Sequence, residues 1–560
     1  MNSRIIAAAA PATAEVADFQ ACDGYGAPNR QGDGMTRPAT SLFGLLAPQG
    51  RDGNGRAVGT PTTGKGVDSC TSALADARLR PAYHLRRASL LRARGMHRIA
   101  NGEREAALAD FDLADQAAAP ADDIFYRRSL LLGTRLLRAY AGATPGTAGN
   151  SAGAAAALIA ERPYDAQFGF AAARVELAAA RDWEAYAGRL RGLARYNPNL
   201  ITAAYGIALM RGRFDELVSL HRHVQPTAPA NRGGYVVADR EGVIAQNLVL
   251  QTEVDGAYAY ALATLGRTEQ ARQALTAARA RVEAALRDPV PPAGRDSVPG
   301  NIVRQHRANL DVRHHANEAL RRWDAVVGFR LQIARGEVDQ AVHSIRTEGL
   351  GADAVTLDLF RAIARARPQL AADAAAALGT IEASISSALT GLANTELAEI
   401  AERLPEAEAT TRLPAYDGAS DSILSVDGNG YMAGRGSVPG GRTIRFVSQR
   451  GTMAMVGEMA LLRAAELARQ QGKGGFIILN RRGLVRTSQN MMYNVVVRED
   501  PQGYDIELDV MFVDPQALPA GFEDAGWRVV DAQQVWNDLS PIYAAARPDG
   551  ASRGPGTASR

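Results

Sequence analysis

The chain has 560 residues, 46% hydrophobic and 6% aromatic, enough to bury a core in roughly two or three domains. Its 63 Lys+Arg against 60 Asp+Glu leave a formal net charge of +3, too small and too evenly mixed for a nucleic-acid binder. It has no run of about 20 apolar residues, so no helix is expected to cross a membrane.

Lys65 and Lys473 are the sole lysines; Arg carries the rest of the positive charge. With the abundance of Ala, this reads as a GC-rich bacterial genome and says nothing about activity. The start, MNSRIIAAAAPATA, has one cation, a short apolar run and Ala-Thr-Ala before Glu15. It reads as a shortened secretory signal or as a disordered Ala-rich start. Residues 1–65 form an irregular arm, with GYGAPNRQGDGM and APQGRDGNGRAVGTPTTGKG as loop signals and SLFGLLA as a short docking turn. TGKG around Lys65 lacks the preceding strand and the spacing of a phosphate-binding loop.

The two cysteines, Cys22 and Cys70, bracket this arm. In an exported chain they would form a disulfide stapling the arm to the first helices; in a reducing compartment they would be two unrelated thiols. Cys22 follows Asp-Phe-Gln-Ala, a poor lipid-attachment context.

Residues 66–350 read as helical hairpins. VDSCTSALADARL is a helix punctuated by Pro81, and SLLRARGMHRIANGEREAALADFDLADQAA follows as the clearest pair. Gly95 is the small residue where its helices cross, Asn101-Gly102 breaks the first, and Ala107, Phe111 and Ala114 line one face of the second. DDIFYRRSLLLGTRLLRAYA reads as one amphipathic helix, and AAAALIAERP as a short helix closed by Pro163. Next comes a pair ending at Pro198, with Trp183, Tyr186, Leu190 and Leu193 on one stripe. The turn then recurs at Gly212 with Phe214 and Leu217, at Gly266 with Ala271, Leu275 and Ala278, and at Gly336 with Ala341 and Ile345. DPVPPAGRDSVPGNIVRQH, near 288–306, reads as a surface loop. Residues 351–412 read as a helical cap and linker without the turn phrase.

These marks resemble a tetratricopeptide (TPR) repeat: the mid-helix Gly95, the turn Gly102, Ala107, Phe111 and the closing Ala114. Leu91 and Arg98 stand where the pattern has aromatics. The resemblance implies a curved superhelix of stacked hairpins, each burying its apolar face on the next, whose inner helices line a groove for a protein partner.

Past Leu404 the composition changes to β-type runs: GGRTIRFVSQ, GGFIILNRR, MMYNVVVRED and YDIELDVMFVD, the last alternating Ile506, Leu508, Val510 and Phe512 with charged residues. PQG reads as a hairpin turn between the last two runs. MVGEMALLRAAELARQQGK is a helix closed near Gly472, and VVDAQQVWNDLSPIY a strand or turn and helix. A small α/β (α+β) domain is therefore predicted over 413–545, with a disordered tail at 546–560. Leu461, Leu462, Arg463, Ala464, Ala465, Glu466 and Leu467, then Gly472, Phe476 and Ile477, and the closing Asp531, Ala532 and Val535, resemble small envelope domains of the Caulobacter-type lipoprotein family. The resemblance implies an envelope location and supports export, and it carries no activity. The family's lipid-bearing Cys has no counterpart here.

The expected fold class is thus mostly α, a TPR-like superhelix followed by a small α/β domain. Candidate chemistry is sparse. Arg463 and Glu466, three apart on one helix, form a structural pair, with a bound anion at Arg463 as the sharper alternative. His221 and His223 point to different sides of a helix, and His314 and His315 are adjacent, so neither pair suits a metal. GNGYMAGRGSVPGG, Gly428 to Gly441, is a hairpin and not a dinucleotide loop, because Pro439 and a strand follow it. Asp122-Asp123 suits a helix start. Arg86, Arg87, Arg92, Arg94 and Arg98 crowd the first helix of the best repeat and are candidates for clamping acidic peptide segments, or are a solvated face balanced by Glu103, Glu105, Asp110 and Asp112. The sequence points to a periplasmic or cell-envelope scaffold without catalysis, cofactor or metal, binding another envelope protein. The alternatives are a self-assembling homo-oligomer, an enzyme with a site between the two regions, and a cytoplasmic location.

Overall fold

The computed structural model describes residues 16–28, 34, 64–121, 123–143, 148–224, 240–285, 300–408, 413–414, 416, 430–436, 438, 440–448, 451–492 and 495–544. The signal-like start, the SLFGLLA run, Gly428, Asp122, most of the 288–306 loop and the tail lie outside the described residues. The chain is mostly helical with a small antiparallel sheet near its end. It divides into two compact units, one from Met1–Asn197 with Thr395–Arg560 and one from Pro198–Asn394.

The first unit opens with α1 (Val16–Asp23), α2 (Val67–Ala75), α3 (His84–Ala100) and α4 (Arg104–Ala118). A short α5 (Ile124–Tyr126) runs through a π-turn at Arg127–Leu131 into α6 (Leu132–Gly142), so the single helix expected there is continuous and carries one π-bulge. Next come α7 (Ala148–Glu161), α8 (Ala166–Ala180) and α9 (Trp183–Ala194). The second unit holds α10 (Leu200–Met210), α11 (Phe214–His221), α12 (Arg240–Thr264), α13 (Thr268–Ala285), α14 (Gly300–Ala334), α15 (Val338–Glu348), α16 (Ala354–Ala366) and α17 (Ala371–Ala393). Residues 300–306 of the predicted surface loop are instead the first turns of α14.

The four predicted corners share one backbone device. Gly102, Gly212, Gly266 and Gly336 have φ of 81°, 66°, 77° and 81°, a left-handed conformation that costs Gly little and L side chains more. After each, the next residue's N–H reaches back to a carbonyl five residues earlier: Glu103 to Arg98 (2.8 Å), Arg213 to Ala208 (2.8 Å), Arg267 to Leu262 (2.8 Å) and Glu337 to Gln332 (2.9 Å). This closure satisfies carbonyls left orphaned at a helix end. The residue after the glycine then starts the next helix, its carbonyl accepting from Ala107, Leu217, Ala271 or Ala341. Those four side chains are fully buried, so the position five past the corner faces the preceding helix, and three of the four are the small Ala. Gly95 serves the same close approach: a Cβ there would strike the ring of Phe111. The α8–α9 corner uses Arg181 at φ 57° in place of Gly, followed by an Asp182 side chain that caps α9 through the amides of Glu184 and Ala185.

The hairpins expected as one array over 66–350 are divided between the two units. The Gly102 pair belongs to the first unit and the other three corners to the second. Within the second unit α12 packs on α14, Gly256 meeting the Trp323 ring, and α16 packs both on α14 and back on α10. A row in which each pair touches its sequence neighbours alone would not bring α16 to α10. Tyr260 helps fix this unit: its hydroxyl donates to the Asp358 carboxylate (2.8 Å), which Arg330 also holds (3.2 Å).

After Asn394 the chain re-enters the first unit. α18 (Leu397–Ala401) buries Leu397 and Ile400 in a core with Phe111, Leu136 and Phe168, and the extended segment to Glu408 follows. The stretch from Thr395 to Glu408 is thus part of this unit's interior and not a linker or cap.

The sheet is formed by β1 (Gly430–Arg435), β2 (Gly441–Ser448), β3 (Gly475–Met492), β4 (Val495–Val513) and β5 (Val529–Asp531), in the order β1-β2-β4-β3-β5, all antiparallel. α19 (Met453–Gln470) crosses one face beside α20 (Ala532–Tyr543). Thr452 caps α19 through the Met455 amide (3.2 Å), and Gly472 ends it at φ 67°. Ile506, Leu508 and Val510 point into the core, as their alternation predicts. The predicted turn at PQG is absent. β4 runs straight through Pro501-Gln502-Gly503, with a register shift opposite Arg486/Thr487, and its pairing with β3 continues to Met492 opposite Val495. A register shift absorbs residues that a regular ladder cannot pair, so Pro501 stays in the strand. Phe125 and Tyr164, from the N-terminal helices, sit in the same core as Phe446, Met459, Leu462, Phe476 and Leu539. The C-terminal fold is therefore packed into the N-terminal helices, not fastened to the end of an array.

Candidate functional site

The densest polar cluster lies inside this shared core. Arg162, at the end of α7 before Pro163, is fully buried, as are Glu458 of α19 and Glu408. Arg162 donates from Nε to Glu458 Oε1 (3.0 Å), from Nη2 to Glu458 Oε2 (3.1 Å) and to Glu408 Oε1 (3.1 Å), and from Nη1 to the Arg128 carbonyl (2.7 Å). Arg128 donates to Glu458 Oε1 (2.8 Å) and the Tyr543 hydroxyl to Glu458 Oε2. The Thr452 hydroxyl, which caps α19, donates to Glu408 Oε1 (2.5 Å), and the Glu408 amide donates to Ser129 Oγ (3.0 Å). Glu408 Oε2 has no hydrogen-bond partner.

The two carboxylates are pushed in opposite directions. Burial opposes ionisation of Glu458, but Arg162 and Arg128 outweigh it and hold the group down to about 2. Burial pushes Glu408 up to about 7 against the pull of Arg162, with the charge of Glu458 pushing the same way. Burial also raises Tyr543 well above the ordinary tyrosine value. Tyr164 to Asp538 (2.5 Å), Tyr504 to Glu406 and Arg481 to the Tyr196 carbonyl (3.1 Å) join the same two parts of the fold. With Arg162, Glu408, Glu458 and Tyr543 buried and Arg128 partly exposed at its margin, the cluster can hold charge and fix orientation. The sequence does carry a sign of it: Glu458 sits amid the buried Met455, Val456, Met459 and Ala460.

The predicted arginine groove is not present. Arg86 is fully buried, pairing with Asp23 and donating to the Gly26 carbonyl (3.1 Å). Arg94 (2.6 Å) and Arg98 (2.9 Å) both bind the buried Asp110. Arg92 donates to the Pro405 carbonyl (3.4 Å) and Arg87 to that of Leu79 (3.3 Å). Placed on a helix packed on three sides, these cations neutralise and bind internal groups, so they do not line a peptide surface.

Cys22 and Cys70 stand at disulfide distance, their Cα atoms 4.7 Å apart. Arg463 pairs with Glu466 at 2.6 Å, lies over the Tyr431 ring, and Tyr416 donates to Glu466 (2.8 Å), a structural arrangement. His221 stacks on Tyr258 with centroids 3.7 Å apart and meets Asp255 at 3.0 Å, while His314 and His315 lie tilted together. Asp123 caps α5 through the Phe125 amide (2.7 Å). Among the described residues no group of three or more His, Cys, Asp or Glu is placed to hold a metal, and no helix is long and apolar enough to cross a membrane.

An open concavity of about 490 Å³ lies between α4, α6 and α7. Ala139, Ala154 and Leu158 supply its apolar lining, and Asp115, Arg135, Arg138, Asn150 and Ser151 its polar lining. Arg138 pairs with Asp115 (2.6 Å) and Asp112 (3.0 Å), and Arg135 with Glu161 (2.6 Å). The sequence reading passed over these two arginines, because only the packing of α7 on α6 makes the hollow.

Comparison with protein-family models, with curated proteins and with solved structures finds no match to this chain.

Proposed function

We propose that this chain is an exported, non-catalytic, TPR-like scaffold of the bacterial envelope that seats a short segment of another envelope protein between α4, α6 and α7. The concavity carries the reading: its apolar lining gives area, and Arg135, Arg138, Asn150 and Ser151, beside Asp115, offer donors to a carboxylate or an extended backbone. Arg135 and Glu161 are both well exposed, and such pairs contribute about 0–1 kcal/mol, so a ligand carboxylate can replace Glu161 at small cost. The Cys22–Cys70 pair supports an oxidising compartment. A photocrosslinker at Ala154 should trap one envelope protein, and Arg135→Glu with Arg138→Glu should abolish that adduct. An adduct unchanged by the double reversal sinks the reading.

Self-association is a second reading, drawn from the sheet. β3 and β4 pair with each other out to Met492 and Val495, past the last β2 partner at Tyr504 and the last β5 partner at Ile477. Among the described strands the outer edges of this ribbon are open, and open edges pair with other strands. Sedimentation velocity of the purified chain decides it: a monomer at every concentration rules it out.

A further inference from the structure

His97, on α3, is almost completely buried and has both ring nitrogens engaged with backbone. The Gly66 amide donates to Nδ1 (3.2 Å), and Nε2 lies 3.1 Å from the Cys22 carbonyl. An amide N–H can only donate and a carbonyl can only accept, so the ring is neutral with its proton on Nε2. A Cβ on Gly66 would collide with the ring, so the turn before α2 is shaped around it. The two segments the ring grips are the two that the Cys22–Cys70 disulfide joins.

We propose that His97 is an acid-sensitive latch that closes a disulfide-linked flap, made of the Cys22 end of α1 and the Gly66–Cys70 turn, over α3. A second proton would place Nδ1–H against the Gly66 N–H, two donors facing each other, and the turn must leave. Because the disulfide holds the two segments to one another, they leave together. Leu90 and Ala93 of α3 then lose Cys22 and Cys70 from the core they share with Phe19, Ala73, Leu79 and Tyr83 in the closed form.

The surrounding charges leave this proton unfavoured. Asp23 of α1 acts on the ring, but its carboxylate already holds Arg86 and Ser89 (2.9 Å). Asp110 of α4 is taken by Arg94 and Arg98, and Lys65 and Asp68, beside Gly66, are exposed. Burial lowers the affinity of His97 for a proton below the ordinary histidine value, while the Cys22 and Ala21 carbonyls and Asp23 work the other way. With the closed-form value lowered, the closed flap is fully favoured above the ordinary value of about 6.5 and loses stability as pH falls through it.

Hydrogen exchange of the intact, oxidised chain tests the latch, comparing peptides over 19–23 and 64–72 at about pH 7.5 and about pH 5 after correction for intrinsic exchange. Opening should rise by up to about tenfold per pH unit below about 6.5, with both peptides changing together. In His97→Gln, whose amide can accept from Gly66 and donate to Cys22, the response should vanish. Equal protection at the two pH values overturns the latch, as does an acid response that survives His97→Gln or that appears in one peptide alone. Should that variant unfold, ring titration of the native chain by NMR decides instead: a midpoint below about 6.5 is required, and an ordinary or raised one refutes the proposal.

Discussion

Replacing Glu458 with Gln keeps the shape of the side chain and removes its charge. In the native fold the carboxylate accepts from Arg162 Nε and Nη2, Arg128 Nη2 and the Tyr543 hydroxyl. The amide can accept at one oxygen only, so at least one buried donor loses its partner and Arg162 keeps Glu408 and the more distant Asp165 as counter-charges. Breaking one side of a buried ion pair costs about 3–5 kcal/mol, because the partner charge stays desolvated. Against a total of about 5–15 kcal/mol for a typical domain, this is enough to unfold a large fraction of the chain under mild denaturant. Urea unfolding followed by circular dichroism should show a lower midpoint at similar slope. Hydrogen exchange should show peptides from α19 and β2 and peptides from α5 to α8 losing protection together, since Arg128 and Arg162 lie on one side of the joint and Glu458 on the other. A loss below about 1 kcal/mol, typical of an exposed pair, would refute the argument, and so would loosening confined to the sheet.

Glu408→Gln should act with the opposite sign. Its native value, about 7, lies above the ordinary carboxyl value, so ionising it costs stability as pH rises from about 4.5 through 7. The variant should therefore equal or exceed the native chain near pH 8, by at most on the order of 3 kcal/mol, and the gap should close near pH 4.5; urea midpoints across pH check it. Gly95→Ala and Gly256→Ala should each cost about 1–3 kcal/mol, because the added Cβ meets the Phe111 and Trp323 rings, whereas Gly188→Ala, with open space, should not; thermal melts compare them. Reducing the Cys22–Cys70 bond, which spans a sequence separation of 48, should lower stability by about 4 kcal/mol, read from urea curves with and without reductant; no change would mean the bond is not formed in solution. Residues 413–545 expressed alone should fail to give a cooperative melt, since their core includes Phe125 and Tyr164 and their Glu458 needs Arg128 and Arg162.

The sequence by itself determined the elements whose causes are local. The glycine corners at 102, 212, 266 and 336 were legible because a left-handed residue between two apolar helices favours Gly and places a buried apolar residue, Ala in three of the four, five positions on. The alternation of Ile506, Leu508 and Val510 and the helix closed near Gly472 were legible for the same reason, while the Thr452 cap was not read. The cysteine pair was legible only on condition of export, and the 4.7 Å Cα spacing decided it. The PQG turn failed because a register shift in a long paired strand can hold Pro-Gln-Gly extended, and pairing is not a local property. Only the tertiary structure decided what the arginines do. Arg86, Arg94 and Arg98 look alike with the candidate groove residues of any basic helix, until Asp23 and Asp110 arrive from other elements. Above all, the joint between Arg162 and Glu458 spans 296 residues, and no periodicity or composition reports a contact at that range. Local backbone preferences repeat along a chain and can be read from it; the partner of a buried charge is chosen by which surfaces the whole chain can bury at once.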